Sequence, residues 1–464
     1  MYRLIIYFYI FISFFVSYGI VRSVKPKNWI ICLAVTYWFT ISPIVRSRVF
    51  LSINPFMHIT GTPWRIEWQI TSLLLIIIIL KFLSGRRSLS SLKISKIPKY
   101  EIFFYSYLIL SIIAVIYHVN HGNMPKRLEK INIFYYYELI LFYFVLKKSI
   151  DEDFIKCILK ATIYMSVLST IISPIQFHID SYFMRTDRMP LAFGTHQRSS
   201  GIFQYGDQHA FIATVAMFYI LFHAKSKLLK VLSVIFISYG ILYTFSRGVW
   251  ITFLAVIFLH LYFVERKLLI KIMKFVLIPG IFLLIVFKPY QPDFNKYLEG
   301  NEAMEERVLS DTFTPRMEYN YIVFNTILDR WAMGYGSLLD NETYYKMMYA
   351  LGGKEWAGGK QGGIHNLYLS ELFLKGTFVS LSLILFLLLF LKYSLSKGLK
   401  KNNYLYLLSF YYVFSYALYQ MTAAAFITNY AATMAVFFMA VISAVDSNKL
   451  DVSEYTFIPE SERE

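Results

Sequence analysis

Long apolar runs without charge constrain this chain more than any other feature. Leu73 to Leu80 reads LLLIIIIL, and Leu381 to Leu391 is interrupted only by Ser382. Runs of about 20 such residues are long enough to cross roughly 30 Å of hydrocarbon at about 1.5 Å per residue. Lipid offers no hydrogen bonds to a bare backbone, so a crossing segment is a helix or part of a closed barrel. These runs are continuous and lack the alternation of a barrel strand. The expected fold is an all-α integral membrane protein, a polytopic helical bundle. Composition agrees: 57% of the 464 residues are hydrophobic and 16% are charged, against about 45–50% and about 25% in soluble domains.

Thirteen candidate spans lie near residues 2–21, 29–44, 66–83, 100–119, 130–146, 154–177, 207–224, 228–245, 248–264, 270–288, 365–391, 403–421 and 424–445, with twelve to fourteen as the range. The organisation that follows is a first part of the bundle over 1–288, a large external loop over 289–364, a last part over 365–445 and a charged tail over 446–464. The first segment is not followed by a small-residue cleavage site and reads as a retained helix. The two cysteines, Cys32 and Cys157, fall in or beside apolar segments and give neither a disulfide framework nor metal spacing.

The net charge of +17 does not point to nucleic acid. Lys and Arg sit in short loops between apolar runs, and alternate loops differ. One set carries three to six each, with Lys81, Arg86, Arg87, Lys93, Lys96 and Lys99 the densest group. The other set carries at most three. The richer set is expected on the cytoplasmic side. The loop 289–364 then lies outside. With thirteen spans the N-terminus is also outside.

That loop is not featureless. Pro315 to Arg330 has Met317, Tyr321, Phe324 and Leu328 at helical spacing, with proline suited to a first turn, so a helix is expected on the outer surface. Gly352 to Gly363 holds six glycines and is expected to be mobile. A shorter outer loop, 178–206, holds Arg185, Arg188 and Arg198. The chain has no Walker loop, no GxGxxG, no HExxH and, in the outer loop, no Asp-x-Asp pair.

Six residues carry the candidate chemistry. Arg247 lies in Ser246-Arg247-Gly248 between two apolar spans, Arg198 in Arg198-Ser199-Ser200-Gly201, and Arg316 opens the expected surface helix. Each could merely snorkel to the membrane surface. All three fall on one side, each within three residues of Gly or Pro, and a guanidinium fork matches diphosphate oxygens in pairs. His365 begins an apolar span, where a helix N-terminus disfavours imidazolium and leaves a neutral base. Its other reading is a capping residue. Asn366 follows it, and Glu371 is an acid within the span, expected to pair with an arginine or Lys375. Together they fit a metal-free glycosyl transfer. The arginines hold a lipid-linked diphosphate, and the histidine deprotonates an acceptor hydroxyl. A transporter of an anionic or lipid-linked substrate is the rival, although transporters usually show paired halves or broken helices.

The stretches at 246–248, 315–337 and 365–377 resemble the O-antigen ligase / Wzy polymerase family. In that family a His-Asn pair is followed by nine residues and a glycine; here His365-Asn366 precedes Gly376 at that spacing. Val379 stands where Gly, Thr or Tyr is usual, and Tyr205-Gly206-Asp207-Gln208 replaces an Asn-rich turn. The resemblance implies a GT-C-like bundle in the bacterial inner membrane with a periplasmic active face. It implies an undecaprenyl-diphosphate-linked glycan donor, a lipid-linked glycan or lipid A–core acceptor, and no cofactor or metal. It further implies Arg247, Arg316 and His365 as the essential residues, and a chain-length regulator and flippase as partners. A polymerase is the leading expectation and a ligase the alternative.

Overall fold

The computed structural model describes residues 2–40, 97–123, 139–184, 191–203, 205–274, 314–336, 364–421, 430–446 and 455–457, less a few positions within these ranges, His365 among them. The expected span 66–83 and most of 130–146 and 270–288 lie outside the described residues, as do Arg185, Arg188, the glycine-rich 352–363 and most of the tail.

The protein is an all-α, polytopic membrane protein. In chain order its helices are α1 (Tyr2–Val24), α2 (Trp29–Thr40), α3 (Lys99–Asn120), α4 (Glu152–His178), α5 (Gly206–His223), α6 (Lys227–Leu242), α7 (Arg247–Phe263) and α8 (Arg266–Ile272). They continue with α9 (Thr314–Ile327), α10 (Leu367–Lys375), α11 (Thr377–Lys400), α12 (Tyr404–Tyr419) and α13 (Tyr430–Asp446). Among the described residues α3, α4 and α11 are each long and apolar enough to cross a membrane. The α7–α8 pair, bent by 118°, adds a fourth if it is one span. Two features differ from the sequence reading. The run 365–391 is not one span: it breaks at Gly376 into α10 and α11. The loop before α5 holds a short antiparallel pair, β1 (Leu191–Phe193) and β2 (His196–Gln197). Strands of two or three residues are too short to leave a periodic signal.

Aromatic contacts fix the direction of the helices. Phe211 near the start of α5 meets Tyr412, Tyr416 and Tyr419 of α12, whereas Tyr219 and Phe222 near its end meet Tyr404. The two helices are therefore antiparallel. His260 near the end of α7 donates or accepts at Tyr411 Oη, 2.8 Å away, so α7 runs alongside α5. Tyr100 at the start of α3 packs on Phe390 and Tyr393 of α11, and Phe104 packs on Phe386.

The bundle consequently has two unlike ends. At one, Lys147 meets the buried Glu101 at 2.8 Å, Lys160 donates to Ser23, and the Lys27 amide donates to Asp153. Tyr393 and Tyr406 both donate to Asp446 there, at 2.7 Å each. This is the lysine end. At the other lie the starts of α5, α7 and α10 and the ends of α3, α4, α6 and α12. It is called the arginine end below. Between them, α4 carries a buried row of Ser166, Ser169, Thr170, Ser173 and Gln176, the small and polar residue types that let helices approach in lipid. Large apolar side chains stay exposed on the outside, Leu228, Leu232 and Ile235 of α6 and Ile251 and Leu254 of α7 among them. Water would disfavour such a surface, but lipid tails are equally apolar.

Candidate functional site

Arg198 is placed by its successors. Ser199, Ser200 and Gly201 are buried, and one side chain of α4 bonds to all three. Gln176 Oε1 accepts from Ser199 Oγ (2.8 Å), the Ser200 amide (3.1 Å) and the Gly201 amide (3.0 Å). Its Nε2 donates back to the Gly201 carbonyl at 2.7 Å and to the Phe183 carbonyl at 2.8 Å. Unpaired, these buried backbone groups would each cost about 1–3 kcal/mol. Gly201 has φ +61°, and a Cβ there would sit 2.6 Å from Ser169 Cβ. Glycine is required at this turn on both counts.

The same segment is tied to Arg247. The Ser199 amide donates to the Tyr243 carbonyl at 3.0 Å, four residues before Arg247. Tyr243 Oη meets His178 Nε2 at 3.1 Å, and Phe245 stacks on Phe177 at 4.8 Å between centroids. Phe245 itself takes φ +44°, which lets the chain reverse from α6 into α7 with almost no loop. Arg247 is the first residue of α7 and is exposed. Arg198 and Arg247 are thus delivered to one end by backbone that is locked from below.

Asn366 caps α10, its Oδ1 accepting from the Leu369 amide at 3.1 Å. The Leu367 amide donates to the Gln420 carbonyl at the end of α12, 2.9 Å away. Since α12 packs along α5 and α7, this bond sets the start of α10 at the arginine end. His365, next in sequence, lies outside the described residues. Glu371 is buried and meets Lys375 Nζ through both oxygens, at 2.6 and 2.7 Å. Lys375 was one of the two partners its sequence context offered. Lys375 also lies 5.9 Å from the centre of the Tyr107 ring.

Arg316 lies in the first turn of α9, the helix expected over Pro315–Arg330, which runs as α-helix to Ile327 and closes in a 3-10 turn at Leu328–Arg330. Val323 and Ile327 of α9 are buried with Tyr335, Ile364 and Phe373 in a small core of their own. The chain after α9 then clamps the α10–α11 break. The Tyr335 amide donates to the Phe373 carbonyl (2.7 Å), the Gly336 amide to Leu374 (3.0 Å) and the Thr377 amide to Trp331 (2.9 Å). His118 at the end of α3 donates through Nε2 to the Met333 carbonyl at 2.8 Å. Gly376 takes φ +86°, and a Cβ there would overlap the Ala332 carbonyl oxygen. The glycine of the His-Asn motif is the point at which this loop and the helix break touch backbone to backbone.

Arg198, Arg247 and Asn366 therefore belong to one end of the bundle, and α9, which carries Arg316, packs on α10 at that end. The N-termini of α5, α7 and α10 open there, and each adds partial positive charge. Sequence reasoning missed Gln176 and His118. A single polar residue late in an apolar run gives no signal of which distant backbone it will hold. Among the described residues no group of three His, Cys, Asp or Glu could hold a metal ion.

Residues 231–384 match a family model described as O-antigen ligase. The match runs from α6 into α11 and includes Arg247, Arg316, His365, Asn366, Glu371 and Gly376, but not Arg198. No curated protein matches the chain.

Proposed function

From an O-antigen ligase region spanning 231–384, we propose that this chain transfers a glycan from undecaprenyl diphosphate to a second lipid-linked acceptor. Activity of the ligase or polymerase kind is the general expectation from the match; the donor, the residue roles and the side of the membrane are our reading. The carrying observation is the convergence of the Arg198 segment, the start of α7 and the start of α10 at one end, away from the lysines. With lysine-rich loops cytoplasmic, the arginine end faces the periplasm of a bacterial inner membrane. The bundle of twelve to fourteen crossings, divided as 1–288, 289–364, 365–445 and 446–464, is the scaffold of that proposal.

The chemistry follows from charge. A diphosphate oxygen leaving the anomeric carbon takes the bonding pair with it. Arg198, Arg247 and Arg316 would offset that growing charge with paired N–H donors, most effectively where the donors are fixed beforehand. The acceptor hydroxyl oxygen bonds to the anomeric carbon as the carbon–diphosphate bond breaks. Its proton passes to His365. Asn366, by capping α10, fixes the backbone that follows that base. The Glu371–Lys375 pair has a different part: it holds the short α10 against α3 and so supports the loop clamp.

In the leading reading the acceptor is the next lipid-linked repeat unit, which makes the protein a polymerase working with a chain-length regulator and a flippase. The description of the matched family favours a second reading, a ligase with lipid A–core as acceptor. The glycan profile of a deletion strain separates them. Loss of a polymerase leaves single repeat units on lipid A–core. Loss of a ligase leaves long chains on the carrier. Normal glycan in the deletion strain would remove both readings and favour transport of some other anionic or lipid-linked substrate.

A further inference from the structure

The face of α9 that does not pack on α10 has a composition of its own. Tyr321, Phe324 and Leu328 are 68%, 51% and 61% exposed, and they recur at the three- and four-residue spacing of one helix flank. Asn325 and Asp329 lie on the adjoining flank and are exposed as well. The apolar ridge continues into Trp331, 54% exposed. Trp331 packs on Phe378 of α11 with ring centres 6.2 Å apart, and the Thr377 amide and Oγ1 both donate to its carbonyl. Phe378 is exposed, as are Leu381 and Leu388 further along the same membrane-crossing helix. The ridge on α9 is thus continuous with a surface that faces lipid.

We propose that α9 lies in the bilayer interface at the arginine end, with Tyr321, Phe324, Leu328 and Trp331 set into the headgroup layer and Asn325 and Asp329 turned to water. Four large apolar side chains left exposed along one flank and continuous with a membrane-crossing helix would be disfavoured in water and are tolerated in lipid. Tyr and Trp are the residue types that favour this depth, since each joins an apolar ring to a polar edge. The occupant is a lipid surface and not a second protein, because Trp331 is joined to the first turn of α11, where that helix enters the membrane. The buried flank, Val323 and Ile327, keeps the helix from rolling. One consequence rests on the proposed diphosphate site: Arg316, in the first turn of this helix, is carried at the depth of a lipid diphosphate. The depth of the helix does not rest on it.

The test uses the full chain in nanodiscs of phosphatidylethanolamine and phosphatidylglycerol, at one protein per disc. Spin labels are placed singly at Phe324→Cys, Leu328→Cys, Asn325→Cys and Asp329→Cys. The native Cys32 and Cys157 are buried and compete little for label. Labels at 324 and 328 are expected to collide several-fold more often with oxygen, which concentrates in lipid, than with an aqueous nickel chelate. Labels at 325 and 329 should show the reverse. Equal access of the chelate to all four positions would overturn the proposal. So would labels at 324 and 328 shielded from both agents, the signature of a protein partner on the ridge. Glycan transfer by the unlabelled Phe324→Cys protein is measured separately. If the depth pattern holds and transfer fails in every preparation, wild type included, the glycosyltransferase reading is at fault and the interfacial helix is not.

Discussion

The segment that carries Arg198 and the loop that follows α9 are pinned at the same end of the bundle by opposite means. The first is held by a side chain: Gln176 accepts from the Ser200 and Gly201 amides and the Ser199 hydroxyl and donates to the Gly201 carbonyl. The second is held by backbone on backbone, with Tyr335, Gly336 and Thr377 bonded across the α10–α11 break and Gly376 admitting the contact. A side-chain hub is vulnerable to deletion. A backbone contact is vulnerable to addition. The two halves of the proposed site should therefore fail under different kinds of substitution.

The largest effect tests the backbone contact. Gly376→Ala adds a Cβ that overlaps the Ala332 carbonyl and forces a side chain onto φ +86°. The expected loss exceeds about 4 kcal/mol, the range kept for severe core and backbone conflicts. Thermal unfolding in detergent would read it as failure to recover folded protein; recovery at the wild-type midpoint would break the distinction. Next comes the ion pair beneath the clamp. Glu371→Gln leaves Lys375 buried without its partner charge, at a cost of about 3 kcal/mol. The double change Glu371→Met with Lys375→Met should recover most of that in the same assay. If it does not, the pair contributes something other than burial of two matched charges.

The side-chain hub comes third. Gln176→Leu keeps similar volume and removes the four bonds that Gln176 makes to residues 199–201, for about 2 kcal/mol. Gln176→Glu keeps the acceptor but sets an oxygen against the Phe183 and Gly201 carbonyls, so it should cost at least as much as Gln176→Leu in the same unfolding series; a wild-type midpoint for either variant would mean that packing and not hydrogen bonding holds the segment. The smallest change lies at the other end of the molecule. Lys156 and Glu152 form a partly exposed pair one helical turn apart, and Lys156→Ala should shift stability by only about 0.3 kcal/mol. A shift as large as that of Gln176→Leu would show that the lysine end is as tightly determined as the arginine end.

These contrasts also explain what was legible in the sequence. Membrane helices and the charge bias between their ends are one-dimensional properties, and both could be read from residue order. Arg247 stood out because a charge between two apolar spans is costly. The Glu371–Lys375 pair was readable because partners four residues apart share a helix face. The stripe of α9 was readable as helix, but not its orientation: Val323 and Ile327 turn inward while Tyr321, Phe324 and Leu328 stay out. Periodicity gives a face and not what the face meets. Gln176 was not legible, because its partners lie 7 to 25 residues away and are backbone atoms. The break at Gly376 was hidden for a related reason. A glycine in an apolar run reads as a tolerated residue until the strand of chain that approaches it is known.

The account stands or falls on whether the arginine end performs glycosyl transfer. The direct measurement uses purified protein with undecaprenyl-diphosphate-linked oligosaccharide and acceptor, following release of undecaprenyl diphosphate by wild type, Arg247→Ala and His365→Ala. Arg247 is exposed at the start of α7, so its removal should leave the thermal midpoint near wild type. The expected result is release by wild type and a fall of about 10²- to 10³-fold on losing Arg247, with a fall of about 10²- to 10⁴-fold on losing His365. Release at the wild-type rate by both folded variants would contradict the account.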